Sequence, residues 1–246
     1  MRNALTKAET KSINELVAHY LDHRELMTTF GNSVRLAVRD SGALRPYVHS
    51  MRFRMKDPEH LRDKLGRKLL DAKKARKPFK INKSNLFTKV TDLAGIRLLH
   101  LHTTQFADID RILKKIIGEQ PIDLVEGPFA RTWDDEYRKY FQQLGVETQE
   151  SETMYTSVHY VVSSKMKTTM TCEIQVRTLM EEVWGEVNHT INYPHPVDSV
   201  GCGEQIRALA RSTSAATRLV DAIFATYLDF RKQPLPIDRL PKGRKS

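Results

Sequence analysis

Three short stretches hold the residues that can do chemistry. In CEIQVRT (172–178), Ile174 and Val176 alternate with Glu173, Gln175 and Arg177, and side chains along a strand point to opposite faces with period two. One face is then apolar, while the other presents an acid, an amide and a guanidinium. An upstream segment repeats the pattern, with Val158, Tyr160 and Val162 opposing Tyr155, Ser157 and His159. The polar link Ser163–Thr168 makes the two an antiparallel hairpin. A register with His159 opposite Glu173 sets Ser157 against Gln175 and Tyr155 against Arg177, so that six functional groups share one face.

In TDLAGIRL (91–98), Asp92 can hold a hard cation through oxygen, and Gly95 permits close backbone approach. Arg97 can stack on a base or neutralise phosphate. In RFRMKDPEHLRDKLGRK (52–68), Arg54 and Lys56 alternate off a strand, while Lys64 and Arg67 stand i, i+3 on the following helix. Four cations converging there can clamp a triphosphate, whose charge must be neutralised. Neither a Walker A loop nor a G-x-G-x-x-G turn is present. His100 and His102, two apart on a strand, read as partly buried structural residues rather than metal ligands.

These groups need elements to position them. Residues 8 to about 40 read as helical, with Ile13, Leu16, Val17 and Tyr20 on one face and Gly31-Asn32 as a break between two helices. Tyr47–Arg54 predicts a strand. Asp57 as N-cap and Pro58 at the first position begin a helix running to about Ala75. Gly95–Leu101 predicts a strand and Phe106–Ile117 a helix, whereas residues 118–153 show no readable period. Tyr155–Val162 and Met170–Arg177 are the hairpin strands, and Thr178 with Glu181 opens a helix by a capping box. Trp184 falls on the stripe Met180, Val183, Trp184, Val187, which is a packing position. A last helix covers about Glu204–Phe230, followed from Gln233 by a loose tail with three prolines and four basic residues. Strands mixed with helices indicate an α+β or α/β fold. The implied organisation is an N-terminal helical segment (1–44), a central domain (45–195), a C-terminal helix (196–232) and the basic tail (233–246).

Composition narrows the function classes. The 246 residues are 40 % hydrophobic and 28 % charged, which is ordinary for a globular protein and unlike a disordered or fibrous one. No apolar run is long enough to span a membrane, and the charged N-terminus does not suit a signal peptide. Two cysteines, Cys172 and Cys202, make neither a disulfide framework nor a four-cysteine zinc site, so a cytoplasmic setting is expected. Residues 1–90 hold 21 Lys+Arg against 9 Asp+Glu, and residues 91–246 hold 19 against 21. The excess positive charge is therefore confined to the first third and densest over 62–83, a surface suited to phosphates.

Taken in order, R-x-K-x-P-E-x-L-x-x-K, D-L-A-G-I-R, Y-x-S-x-H, and E-I-Q-x-R-T followed by W-x-x-x-x-H resemble the synthetase domain of the RelA/SpoT family over about residues 45–190. The resemblance implies a mixed five-stranded sheet of nucleotidyltransferase-like type flanked by helices. It also implies an ATP:nucleotide 3′-pyrophosphotransferase (a pyrophosphokinase) that makes the alarmone (p)ppGpp from ATP and GDP or GTP. By that resemblance Arg54 and Arg97 sandwich the adenine, and Lys56, Lys64 and Arg67 hold the ATP phosphates. Asp92 and Glu173 bind Mg²⁺, with Glu173 placed to activate the acceptor hydroxyl. Tyr155 stacks on the acceptor base, and His159, Gln175, Arg177 and His189 complete the acceptor pocket. No HD dipeptide of a companion hydrolase is present, which implies synthesis only.

The chain departs from the family pattern in places. The loop GVETQESETMY before the stacking tyrosine carries three glutamates and no lysine, with Met154 where glycine is usual. Negative charge beside a nucleotide diphosphate is unfavourable. Asn188 replaces a common glutamate and His60 a common serine. An acceptor other than a guanine nucleotide therefore stays open: the tRNA 3′ end, as in toxin-type enzymes of this fold, or an adenosine nucleotide. A non-catalytic RNA-binding protein is the rival from another class. The C-terminal helix is a candidate for homo-oligomer contacts.

Overall fold

The computed structural model describes residues 5–151, 153–193 and 196–232; the tail from Gln233 lies outside them. Helix α1 (Lys7–Asp22) opens on a capping box, with Thr6 and Glu9 exchanging side-chain and backbone hydrogen bonds. It is followed by α2 (Arg24–Arg39). The break falls at His23 and not at Gly31-Asn32. Gly31 lies inside α2, where a Cβ would come 2.7 Å from the Phe53 ring, so its small size serves close packing rather than termination.

The chain continues through β1 (Ser50–Met55), α3 (Pro58–Lys74), the short α4 (Leu86–Lys89), β2 (Ala94–His100), α5 (Phe106–Glu119) and β3 (Ile122–Thr132). Then come α6 (Asp135–Gln143), β4 (Glu147–Glu150), β5 (Ser157–Ser164), β6 (Thr171–Thr178), α7 (Leu179–Asn192) and α8 (Val200–Lys232). The sheet has six strands in the order β1-β2-β6-β5-β3-β4, one more than the resemblance implies. The β2/β6 and β3/β4 pairs are parallel and the other three antiparallel.

Strands β3 and β4 come from the stretch without readable periodicity, for a physical reason. The ladder of β3 slips on both sides of Glu126, near Gly127. Gly127 has φ +87°, and a Cβ there would meet the His159 carbonyl oxygen at 2.3 Å, so only glycine fits. Strand β4 is a short polar edge, Glu-Thr-Gln-Glu, with no apolar alternation to betray it.

Period two divides the sheet as the sequence demands. Ile96, Leu98, Val158, Tyr160, Ile174 and Val176 face a core shared with Val17, Tyr20, Val34, Leu61, Leu65, Ile109 and Leu113, all buried. Removing apolar surface from water supplies the main drive for assembly, on the order of 25 cal/mol per Å². Tyr160 keeps its hydroxyl satisfied by donating to Asp110 at 2.8 Å. The opposite face carries the polar residues of β1, β2, β5 and β6, with α7 lying beside it. The hairpin register differs from the expected one: His159 pairs with Gln175 and Val161 with Glu173. The link closes where the Ser164 N–H donates to the Met170 carbonyl at 2.9 Å, which slides β5 by two residues. An even slip keeps every side chain on its face, so the functional face survives.

Candidate active site

The N-terminal ends of the parallel strands β2 and β6 build the centre of the site. Gly95 pairs with Glu173, and Asp92 stands three residues earlier on the approach to β2. Asp92 is tied by Lys56 Nζ at 2.8 Å and Lys64 Nζ at 2.7 Å. Burial pushes its carboxyl up, but the two ammonium groups outweigh this and hold it far below the usual carboxylate range. Burial also draws the Lys56 ammonium below its ordinary value, with Asp92 opposing. Lys56 is placed from both sides. Asp57 caps α3 by accepting from the Glu59 and His60 N–H groups, and the Tyr20 hydroxyl donates to the Lys56 carbonyl at 2.6 Å.

Glu173 is similarly enclosed. His159 Nδ1 lies 2.9 Å from one carboxylate oxygen, and Gln175 Nε2 donates to the other at 2.7 Å. Burial raises its pKa; His159 and Gln175 reverse that, against an upward push from the charge of Asp92, and leave it below the ordinary value. His159 is stacked on Phe129, with ring centroids 5.4 Å apart.

The two carboxylates sense each other's charge and present four hard oxygens. The Asp92 oxygens already sit against two cationic nitrogens. Among the described residues no group of three or more His, Cys, Asp or Glu forms a metal cluster. Mg²⁺, however, takes one or two carboxylates and fills its shell with water and substrate phosphate. Asp92 and Glu173 are oxygen donors of that kind, each now engaged by neighbouring side chains.

Two clefts adjoin this centre. The first, about 380 Å³, is lined by Arg52, Phe53, Arg54, Gly95, Ile96, Arg97, Glu173, Gln175, Glu186 and His189. The second, about 550 Å³, contains Tyr155, Arg177, Trp184, Asn188 and Tyr193. Arg54, Arg97, Gln175, Glu186 and His189 line both. Each has the size of a small-molecule site. Arg54 lies over Gly95, where an added Cβ would come 3.7 Å from its side chain. Arg97 is pinned by Glu182 at 2.8 Å and Glu186 at 2.5 Å.

Tyr155 sits just before β5 and not within it. Met154 turns the chain with φ 57°, and the Tyr155 N–H donates to Ser151 Oγ at 3.3 Å. Its hydroxyl lies 3.5 Å from Gln175 Oε1 and 3.3 Å from Arg177 Nη1. Arg177 is buried, so it reaches the second cleft mainly through Tyr155. Trp184 is buried with Ile206 and Ala210 and donates its indole N–H to the Ile206 carbonyl at 3.1 Å; packing is its role, although its ring also abuts Tyr155 at 6.2 Å.

Arg67 does not join the other cations at Asp92. Its guanidinium lies over Tyr193, 5.6 Å from the ring centroid. His189 stacks on the same ring at 4.5 Å, and burial, aided by Arg54, draws its pKa down. His100 is buried and hydrogen-bonded to the His102 carbonyl at 3.0 Å, as a structural histidine would be. Of the residues picked from sequence, all but Arg67 thus cluster on the sheet face or its rim. Glu182, Glu186, Phe129 and Tyr193 were missed. Only Glu182 and Glu186 left a trace, an i, i+4 acidic pair on α7.

Comparison with known proteins agrees with this architecture. A GTP pyrophosphokinase family protein from Streptococcus pneumoniae is 19% identical, with a TM-score of 0.61 over 88% of this chain and 99% of that one. Small alarmone synthetase 1 from Bacillus subtilis, bound to its product pppGpp, is 20% identical with a TM-score of 0.52 over 90% and 100%. The same synthetase bound to AMPCPP is 16% identical with a TM-score of 0.50 over 88% and 98%. At these identities the likeness establishes a shared fold. Among curated proteins no sequence matches this chain. Residues 53–198, more than half of the chain, match the family described as "Region found in RelA / SpoT proteins", and on that match the chain belongs to the RelA/SpoT family.

Proposed function

We propose that the protein is an ATP:nucleotide 3′-pyrophosphotransferase that makes (p)ppGpp from ATP and GDP or GTP. The acceptor 3′-oxygen attacks the β-phosphorus of ATP, the bond from that phosphorus to the α–β bridging oxygen breaks, and AMP leaves. Such a transfer asks a protein for alignment and charge neutralisation more than for covalent chemistry. The observation that carries the reading is the pair of adjoining clefts with a common wall at Arg97 and Gln175, beside Glu173. Substrates seated in the two would meet at that wall.

In this reading the first cleft takes ATP. Arg54 and Arg97 flank the adenine, while Lys56 and Lys64 meet the phosphates; Arg67, turned to Tyr193, does not take that role. Mg²⁺ held by Asp92 and Glu173 would neutralise phosphate charge. The second cleft takes the acceptor, with Tyr155 as the stacking surface and His159, Gln175, Arg177 and His189 around it. Glu173 receives the hydroxyl proton. Held ionised by its neighbours, it is a weak base that acts chiefly through its position. The names of the structural neighbours, a GTP pyrophosphokinase family protein and an alarmone synthetase, support the same choice.

A second reading, transfer to the tRNA 3′ end or to an adenosine nucleotide, draws on the exposed glutamates Glu147 and Glu150 beside the acceptor loop and on the basic segment 62–83, carried by α3 and the loop after it. The decisive assay offers γ-labelled ATP and Mg²⁺ to GDP, GTP, ATP and tRNA separately. Label in a product of GDP or GTP supports the first reading, and label on tRNA or in a 3′-pyrophosphorylated adenosine nucleotide the second. No transfer to any of them leaves the RNA-binding alternative. We also propose a cytoplasmic setting and a homo-oligomer formed through α8, whose Leu219, Ile223, Tyr227 and Phe230 are exposed.

A further inference from the structure

We infer that Glu182 is a positioning residue for both clefts at once, setting Arg97 for the donor base and, through Arg177, setting Tyr155 for the acceptor base. The inference rests on the pyrophosphotransferase reading for the identity of the two ligands. Glu182 is buried in the first turn of α7, with 9% of its side chain exposed. Its Oε1 accepts from Arg97 Nη1 at 2.8 Å and from Arg52 Nη1 at 3.3 Å, and its Oε2 pairs with the Arg177 guanidinium.

Its two nearer partners are assigned to different ligands. Arg97 stands on β2 between the clefts. Arg177 donates to the Tyr155 hydroxyl at 3.3 Å and lies 5.5 Å from the centroid of that ring. Residue 185 leaves room for the arrangement: a Cβ there would come 2.7 Å from Arg177 Nη1, so any larger residue would push the guanidinium from its place against α7. A planar guanidinium held in the plane by a carboxylate keeps its face free for stacking. A single buried carboxylate therefore fixes the plane of one stacking group directly and of the other through one intermediary.

Initial-rate kinetics, with whichever acceptor takes the label, test this together with double-mutant cycles. Glu182→Gln should raise KM for ATP and KM for the acceptor, each by about tenfold, while kcat changes by less than about threefold, because stacking on the two bases is the same in the ground state and the transition state. Arg97→Lys should raise the ATP KM more than the acceptor KM, and Arg177→Lys the acceptor KM more than the ATP KM. Adding Glu182→Gln to Arg97→Lys should raise the ATP KM no further, and adding it to Arg177→Lys should raise the acceptor KM no further. Glu182→Asp, which keeps the charge but retracts it, should move both constants less and in the same direction, and serves if the glutamine variant does not fold. Additive effects, or a change confined to one substrate, overturn the inference while leaving the function standing. If no acceptor takes label from the wild-type protein, the functional reading fails and the inference fails with it.

Discussion

The chemistry of single residues depends on what each is paired with before substrate arrives. Asp92 holds two lysines, one of them buried, so the carboxylate is both the proposed metal ligand and the neutraliser of Lys56. Asp92→Asn, which keeps an oxygen to accept from Lys56, should abolish pyrophosphate transfer, as should Glu173→Gln. Asp92→Ala should additionally cost on the order of 3 kcal/mol of stability in a urea melt, since it strands a buried ammonium. Full turnover in the asparagine variant would remove Asp92 from the metal site. Tyr155 offers a cleaner separation. Tyr155→Ala should weaken the acceptor about tenfold or more and ATP little, whereas Tyr155→Phe, which keeps the ring but loses the contacts to Gln175 and Arg177, should have an effect of about threefold. Equal loss of both substrates in the alanine variant would count against base stacking there.

Among the elements, α7 links the sheet to α8 and supplies carboxylates from its first turn. Thr178 caps it by accepting from the Glu181 N–H at 3.3 Å, as the Thr178/Glu181 pattern suggests. The Glu181 side chain does not complete the reciprocal bond. It turns inward and accepts from the Thr156 N–H at 3.2 Å. Burial there pushes its pKa up to about 7, against the opposing influence of Thr156 and Arg177 and with Asp134 adding to the rise. The folded protein then binds this proton more tightly than the unfolded chain, so stability falls as pH rises from about 4.5 through about 7. Glu181→Gln should flatten that part of the melting-temperature profile and leave the variant more stable than wild type at pH 8, by up to about 3 kcal/mol. A wild-type profile flat over this window would refute the assignment.

At the scale of the whole molecule, α8 is anchored along about its first two thirds and open towards its C-terminal end. Asp134 accepts from Ser214 Oγ at 2.9 Å and pairs with Arg218, and Asp221 accepts from the Thr103 N–H at 2.6 Å. Beyond these ties Ile223, Tyr227 and Phe230 are exposed together, an apolar stripe suited to a second copy. Under the proposed oligomer, Ile223→Glu with Tyr227→Glu should reduce the mass measured by light scattering to that of the monomer without changing kcat. A wild-type protein already monomeric at micromolar concentration would end the proposal.

The alternation of β5 and β6 was legible in the sequence, and with it the gathering of His159, Glu173 and Gln175 on one face, because period two is a local property that any register shift of even length preserves; that Arg97 of β2 joins them was not. The cap at Asp57 and the starts of α3, α5 and α7 were legible for the same reason. The sequence alone could not determine the sixth strand, the position of the break between α1 and α2, or the hairpin register; nor could it show that Arg67 turns to Tyr193 while Glu182 gathers Arg52, Arg97 and Arg177. Those features rest on contacts between residues far apart in the chain, such as Arg52 and Glu182 at a separation of 130. No local spacing encodes such a pair, and burial brings the partners together only when the whole sheet and its covering helices are in place.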